Sequence, residues 1–203
     1  MFYRLTRVIF KILFGIFFRP KIIGRENIPK KGAFILAANH MSNFDPPFVG
    51  TFAGRMVSYM AKEELFRNPI LAAALRGINT FPVKRGSADK GAIKNAVKIL
   101  KGGGCLGIFP EGTRSKTGRI GKAESGVSLI AAMTNAPIIP AAIVNTDKIF
   151  SAEVKFPRLA LVFGTPIYFS GNTKDKDELA NFAKNIMLEV SKLKTFGENS
   201  LTK

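Results

Sequence analysis

The sequence predicts an α/β fold: a single domain with a mixed, largely parallel sheet flanked by helices, preceded by an amphipathic N-terminal helix. Short apolar runs of strand length alternate with longer segments of helical periodicity, as in sheets whose strands are connected by helices. The 203 residues are 46% hydrophobic and 22% charged, which is typical of a globular protein. Since no internal repeat or long linker is present, we divide the chain into residues 1–19 and one domain of residues 20–203.

The predicted strands are short apolar runs bounded by turn residues. They cover residues 32–38, 57–61, 79–83, 105–109, 138–144 and 159–163. The predicted helices cover residues 63–75, 87–101, 122–134 and 175–194. Pro69 should kink or split the first of these helices, and Ser87 should cap the second. Ligands of such folds bind where loops leave the strand ends, so the chemistry is sought there.

The first 19 residues are predicted to form a helix with one narrow basic face. Arg4, Arg7 and Lys11 follow the helical repeat, and most of the remaining surface is apolar. No uninterrupted apolar run reaches the roughly 18–20 residues that span a bilayer. The pattern favours a helix lying in the membrane interface, with its cations at headgroup level. A short tilted anchor and a core helix are the alternatives, and Pro20 ends the helix in each case.

The charge balance indicates a polyanionic partner. Lys and Arg number 31 against 14 Asp and Glu, which gives a formal net charge of +17. Such a surface attracts nucleic acid, anionic lipid or phosphorylated small molecules. One His and one Cys leave too few ligands for a structural zinc site, and a single Cys excludes a disulfide within the chain. Cys105 lies in an apolar run and is interpreted as a buried small hydrophobe.

The loop after the first predicted strand contains His40, the sole histidine of the chain, followed five positions later by Asp45. This spacing suits a histidine at a strand end and an aspartate at the start of the next helix. A carboxylate that accepts from one ring nitrogen fixes the tautomer and leaves the other nitrogen as a base. The alternative is a structural histidine, with Asp45 capping a helix that begins at Pro46.

A second candidate loop follows the strand at residues 79–83. Lys84 and Arg85 precede Gly86 and a helix N-terminus. Cations beside exposed amide donors form a phosphate site. A solvated basic turn is the alternative.

A third candidate loop follows the strand at residues 105–109. Glu111, Gly112, Thr113 and Arg114 place a carboxylate, a flexible backbone donor, a hydroxyl and a guanidinium on one turn. Such a turn can bind a polar headgroup or orient amides toward an oxyanion. A purely structural turn is the alternative.

In combination, four segments are more specific than any one alone. Residues 39–45, 81–86, 109–115 and 136–140, in this order, resemble the motifs of the glycerolipid acyltransferase family, most closely its 1-acylglycerol-3-phosphate (lysophosphatidic acid) acyltransferases. The first segment matches the family's His-x4-Asp motif. The resemblance extends over residues 22–169, most of the chain.

The resemblance implies transfer of a fatty acyl group from acyl-CoA or acyl-carrier protein to the sn-2 hydroxyl of 1-acylglycerol 3-phosphate, giving phosphatidic acid. It implies that His40 is the general base and that Asp45 orients it, without an acyl-enzyme. No metal or other cofactor is expected. The expected substrate-binding residues belong to the second and third loops: Lys84, Arg85, Gly86, Glu111, Gly112, Thr113 and Arg114.

The expected partners are an anionic membrane surface, a lysophospholipid acceptor, and acyl-CoA or an acidic acyl-carrier protein. The expected location is the cytoplasmic face of the cell membrane, as a monotopic or peripheral protein. An acyltransferase for another lysolipid or aminolipid is the nearest alternative. A nucleic-acid binder is disfavoured because no binding motif is present, and we expect no nucleic acid partner. A serine hydrolase using Ser42 is disfavoured because the chain lacks a Gly-x-Ser-x-Gly elbow.

Overall fold

A computed structural model describes residues 2–84, 89–115 and 117–202. The α-helices within these residues are α1 (Phe2–Phe18), α2 (Asp45–Phe52), α3 (Pro69–Gly77), α4 (Lys90–Lys101), α5 (Gly126–Thr134) and α6 (Lys176–Thr202). The strands are β1 (Lys21–Ile23), β2 (Phe34–Ala38), β3 (Val57–Lys62), β4 (Thr80–Val83), β5 (Cys105–Ile108), β6 (Ile138–Val144) and β7 (Ala160–Phe163).

The strands form one sheet in the order β1-β7-β6-β2-β5-β3-β4. Strands β2 to β6 are parallel to one another, whereas β7 is antiparallel to β6 and parallel to β1. The predicted mixed, largely parallel sheet is therefore confirmed. Strand β1 was not predicted because three residues after Pro20 are too few to show a strand pattern; Ile22 pairs with Leu161 of β7.

Both faces of the sheet are buried, which explains why its central strands are continuous apolar runs. In β2, Leu36 packs in the core beneath α1 and α2, whereas Ile35 and Ala37 pack in the core beneath α4, α5 and α6. The domain thus has three layers, with β2 in the middle of the sheet. The carboxyl ends of β2 to β6 lie along one edge because these strands are parallel.

The predicted helix at residues 63–75 is split, as Pro69 indicated. A 3₁₀ turn covers Glu63–Phe66, and α3 begins afresh at Pro69. Asn68 caps α3, since its Oδ1 accepts from the amides of Ile70 and Leu71 at 3.0 and 3.1 Å. The proline thus occupies the first turn of α3, where its missing amide hydrogen costs no helical hydrogen bond.

The predicted start and cap of the next helix were wrong. Helix α4 begins at Lys90 and is capped by Asp89, whose Oδ1 accepts from the amide of Ala92 at 3.0 Å; Ser87 lies outside the described residues. The other oxygen of Asp89 accepts from the amide of Lys84 at 2.8 Å. These backbone bonds, first that of Lys84, lower the pKa of Asp89 below its ordinary value.

The last two helices differ from their predicted ends. Helix α5 begins at Gly126 rather than at residue 122, and α6 continues to Thr202 rather than ending at residue 194. The extension of α6 packs on the sheet at Gly197, where an added Cβ would lie 3.0 Å from Val144. A glycine that usually weakens a helix is here the residue that permits close contact.

Helix α1 has two different faces. On one face, Phe14 is 2% exposed and its ring packs edge-on against Phe48 of α2 at 5.0 Å. The Tyr3 hydroxyl on the same side accepts from the amide of Val57 at 3.0 Å. The opposite side, the apolar face of α1, exposes large hydrophobic residues: Phe2, Leu5, Val8, Ile9, Ile12, Leu13, Ile16 and Phe17. The core interpretation of this helix therefore describes only one of its faces.

Among the residues that the structure describes, no helix combines the length and the apolar character needed to cross a bilayer.

We expect Phe14→Ala to lower the free energy of unfolding by about 3–5 kcal/mol, because it removes a ring from a closely packed core. The matched control is Ile16→Ala on the same helix, since Ile16 is 65% exposed and its loss should change stability by less than about 0.5 kcal/mol. Urea unfolding followed by circular dichroism measures both. Equal stabilities of the two variants would show that α1 is not docked on the domain in solution.

Candidate active site

Three neighbouring strands bring the site together. Strands β6, β2 and β5 are adjacent and parallel, so the loops that follow them meet at one edge of the sheet. His40 follows β2, Glu111 follows β5 and Thr146 follows β6. This edge is where ligands bind in open α/β sheets.

The predicted histidine–aspartate pair is in contact. Nδ1 of His40 lies 2.8 Å from Oδ2 of Asp45, and both side chains are buried. Asp45 is the first residue of α2, and its Oδ2 also accepts from the amides of Met41 and Ser42 at 2.6 and 2.8 Å. These bonds turn the chain back between β2 and α2, so the carboxylate faces the ring five residues upstream.

The second carboxylate oxygen of Asp45 accepts from the hydroxyl of Thr146 at 2.5 Å. Asp45 is fully buried and Thr146 is 1% exposed, so this hydrogen bond supplies a donor to a carboxylate oxygen that solvent does not reach. The sequence analysis did not identify Thr146. The available signal was its place: a hydroxyl residue two positions after a predicted strand, at the edge where the other polar loops converge.

The ring of His40 is held by an aromatic neighbour. It stacks on Phe109 with centroids 4.2 Å apart and planes at 20°, and Phe109 stacks in turn on Tyr59 at 6.1 Å. Because Nδ1 faces a carboxylate oxygen, the tautomer with its hydrogen on Nδ1 fits this contact. In that tautomer, Nε2 is the ring nitrogen left to accept a hydrogen bond.

The backbone of His40 is fixed by the third loop. Its amide donates to Oε1 of Glu111 at 3.0 Å, and its carbonyl accepts from the amide of Ser115 at 2.8 Å. The other oxygen of Glu111 accepts from the amide of Gly121 at 3.0 Å. The carboxylate of Glu111 thus links two loops through their backbones. Its predicted contact with substrate stays a prediction.

Asn39 fixes the strand end from the other side. Its buried side-chain amide pairs with the backbone of Ile143 in β6, donating to the carbonyl at 3.0 Å and accepting from the amide at 2.8 Å. This pairing continues the contact between β2 and β6 one residue past the strand. The residue before His40 is therefore fixed on β6 by two hydrogen bonds.

The remaining predicted residues of the third loop lie near the surface. Gly112 has a positive φ of 66°, and its amide donates to the carbonyl of Phe109 at 3.0 Å, which closes the turn. Thr113 and Arg114 are exposed on the same turn. Between described residues, no hydrogen bond or ion pair joins the Arg114 side chain to His40.

The second predicted loop lies farther from His40 than the third loop does. Lys84 is exposed at the end of β4, which is three strand positions from β2, or about 14 Å along the sheet. Arg85 and Gly86 lie outside the described residues. The contribution of this loop to a phosphate site stays a prediction.

A cavity of about 50 Å³ lies beneath α1, next to the end of the His40 loop. It is mainly apolar, and its lining residues come from α1, α2, β3 and the end of α3: Tyr3, Thr6, Arg7, Phe10, Pro46, Pro47, Gly50, Thr51, Tyr59 and Ile78. Burial raises the pKa of Tyr59 well above its ordinary value, so its phenol is neutral. The cavity therefore offers apolar walls within reach of the His40 loop.

The candidate nucleophiles are engaged or buried. Oγ of Ser42 accepts from the amide of Phe44 at 3.2 Å, a local turn contact. Burial raises the pKa of the Cys105 thiol, so it stays protonated, as expected of a small core residue. Neither residue shows the contact with a base that an activated nucleophile requires.

The fold and site together place a buried histidine–aspartate pair at the edge of an α/β sheet, where enzymes of this class bind their ligands. A family model described as Acyltransferase matches residues 19–144, which include His40, Asp45 and Glu111. The chain belongs to this acyltransferase family and is an acyltransferase. Thr146 lies just beyond the matched residues.

Named relatives are similar over most of the chain. The 1-acyl-sn-glycerol-3-phosphate acyltransferase of Bacillus subtilis (strain 168) is 31% identical over 177 residues, which are 85% of this chain and 87% of the relative. The enzyme of that name from Borreliella burgdorferi is 35% identical over 138 residues, 66% of this chain and 55% of the relative. The crystal structure of the 1-acyl-sn-glycerophosphate acyltransferase PlsC from Thermotoga maritima superposes with a TM-score of 0.74 at 27% identity, covering 95% of this chain and 80% of that one.

We expect Thr146→Val to lower the free energy of unfolding by roughly 1–3 kcal/mol, because it leaves a buried carboxylate oxygen without its donor. Thr146→Ser is the matched control: it keeps the hydroxyl and loses one methyl group, about 1 kcal/mol or less. Denaturant titrations compare the two at neutral pH. If the valine variant were as stable as the serine variant, the Thr146 hydroxyl would not be satisfying Asp45.

Proposed function

We propose that the protein transfers a fatty acyl group from acyl-CoA or acyl-carrier protein to the sn-2 hydroxyl of 1-acylglycerol 3-phosphate, giving phosphatidic acid. The observation that carries this proposal is the buried His40–Asp45 pair, in which the carboxylate contacts Nδ1 of the ring, so that Nε2 would be the base. The names of the relatives support the acceptor. The chemistry needs no metal or redox cofactor.

In the proposed reaction, Nε2 of His40 removes the proton from the acceptor hydroxyl, and the hydroxyl oxygen attacks the thioester carbonyl. Asp45 stabilises the imidazolium that forms. Collapse of the tetrahedral intermediate breaks the carbon–sulfur bond, and the imidazolium returns its proton to the leaving thiolate. The acyl group passes directly to the acceptor, which accords with the contact of Ser42 to Phe44 rather than to His40.

The tetrahedral intermediate requires donors for its oxyanion. The amides of His40, Met41, Ser42 and Gly112 already donate to Glu111, to Asp45 or within the turn. The oxyanion donors are therefore expected in the exposed part of the third loop, at the backbone amides of Thr113 and Arg114.

The glycerol phosphate is proposed to bind the cations that follow the strands, Arg114 on the third loop and Lys84 with Arg85 on the second. An exposed guanidinium can form two parallel bonds to a phosphate. Glu111 contributes by holding the His40 loop, since both of its oxygens accept from backbone amides. The acyl chain is proposed to lie beneath α1, where the apolar cavity adjoins the loop.

The acceptor lies in a membrane, so the protein is proposed to act at the cytoplasmic face of the cell membrane, as a monotopic or peripheral protein. The apolar face of α1 would contact the lipid. The net charge of +17 accords with an anionic bilayer and with an acidic carrier protein as donor. Transfer from labelled acyl-CoA and acyl-carrier protein to a panel of lysolipids and aminolipids identifies donor and acceptor.

We expect His40→Ala and Asp45→Asn to keep the fold and to lower the acyl-transfer rate by about 10²–10⁴-fold, because the base or its orienting carboxylate is removed. Rates are measured with 1-acylglycerol 3-phosphate and either donor, and circular dichroism checks the fold.

The matched control is Ser42→Ala in the same loop, which should retain near wild-type rates because its hydroxyl only accepts from Phe44. A His40→Ala enzyme with more than about a tenth of the wild-type rate would exclude the general-base role. An inactive Ser42→Ala enzyme would instead indicate an acyl-serine route.

Arg114→Ala is expected to raise the Michaelis constant for the phosphate-bearing acceptor about tenfold or more, through loss of a charge-assisted contact. Arg119→Ala, an exposed arginine five residues along the same loop, is the control and should leave that constant unchanged. An effect confined to the thioester donor would assign Arg114 to the donor pocket instead.

A further inference from the structure

A second apolar element lies beside α1, in the connection between β6 and β7 (residues 145–159, the β6–β7 segment). Phe150 is 85% exposed and Phe156 is 59% exposed, and Val154 between them is also exposed. Exposed phenylalanines at this density are unusual in a loop, where polar residues normally predominate. The segment therefore exposes an apolar surface to solvent.

This surface is continuous with the apolar face of α1. The ring of Phe156 stacks on Phe17 with centroids 5.4 Å apart and contacts Phe18 at 6.3 Å. Phe156 has a φ of 54°, a backbone conformation that aromatic residues rarely adopt, so its neighbours must hold it there. The loop thus extends the apolar surface from the C-terminal end of α1 toward the sheet edge.

The other end of the segment reaches the active site. Phe150 packs edge-on against Phe44 at 5.3 Å, and Phe44 immediately precedes Asp45. The segment also begins at Thr146, which bonds Asp45. Phe150 therefore lies beside the loop that carries His40 and Asp45.

Charge favours one partner for this surface. Residues 2–21 include five basic residues and no acidic one. Within the segment, Lys148, Lys155 and Arg158 are exposed, against Asp147 and Glu153. Aromatic rings flanked by an excess of cations suit the interface of an anionic bilayer, where rings enter the acyl boundary and cations stay among headgroups.

We propose that the β6–β7 segment is a second membrane-binding element, which inserts Phe150 and Phe156 into an anionic bilayer together with the apolar face of α1. This deepens the proposed function, on which it rests for the lipid acceptor. The protein then contacts the bilayer at two places, through the apolar face of α1 and through the β6–β7 segment. Together these contacts hold the His40 loop against the bilayer surface. With α1 alone, the protein would be free to tilt about the helix.

The first test is binding of the full-length protein to vesicles of phosphatidylcholine with about one third phosphatidylglycerol, measured by sedimentation. Phe150→Ser should lower the partition coefficient about tenfold, by removing the transfer of a ring from water. The control is Phe196→Ser, the same change at an exposed phenylalanine on α6, which should bind as the wild type does. Equal binding of both variants would overturn the proposal.

The second test uses the absence of tryptophan from the sequence. Phe150→Trp places a single indole in the segment, and its emission should shift to the blue and be quenched by brominated lipid when vesicles are added. Phe196→Trp should show neither change. Vesicle-bound Phe150→Trp protein with unshifted, unquenched emission would place the segment outside the bilayer. Neither test measures turnover, so a failure here is distinct from a failure of the proposed reaction.

Discussion

The buried carboxylate of Asp45 is the constraint on which the site depends. A carboxylate taken fully out of water needs hydrogen-bond donors from the protein in place of water. Here one oxygen accepts from the His40 ring and from two amides of the loop, and the other accepts from Thr146. The same bonds that satisfy the charge therefore fix the loop, the start of α2 and the tautomer of the histidine.

The order of the strands makes this arrangement possible. Residues 40, 111 and 146 are far apart in the sequence, yet β2 lies between β5 and β6, so their loops are neighbours. Glu111 holds the backbone of His40 from one side, and Thr146 reaches Asp45 from the other. A parallel sheet buried on both faces resists displacement of its central strand, so His40 follows a strand that is packed on both sides.

Elements with strong patterns could be predicted from the sequence, and those that depend on partners could not. Strand β6 has its predicted bounds because the turn residues on either side of its long apolar run mark where the strand begins and ends. Strand β1 exists only through its pairing with β7, and the end of α6 depends on the contact of Gly197 with the sheet. Likewise His40 and Asp45 are close in sequence and were found, whereas Thr146 contributes through a contact that no local pattern records.

The two faces of α1 relate the His40 loop to the proposed membrane surface. A helix that buried all its apolar residues would belong to the core, and a helix that buried none of them would not dock on the domain. Phe14 anchors α1 on α2, the helix whose first residue is Asp45, while the opposite face stays apolar and exposed. The His40 loop is thus attached to a helix whose outer face is apolar. If that face binds lipid as proposed, the docking of α1 on α2 would hold His40 at a constant distance from the bilayer surface.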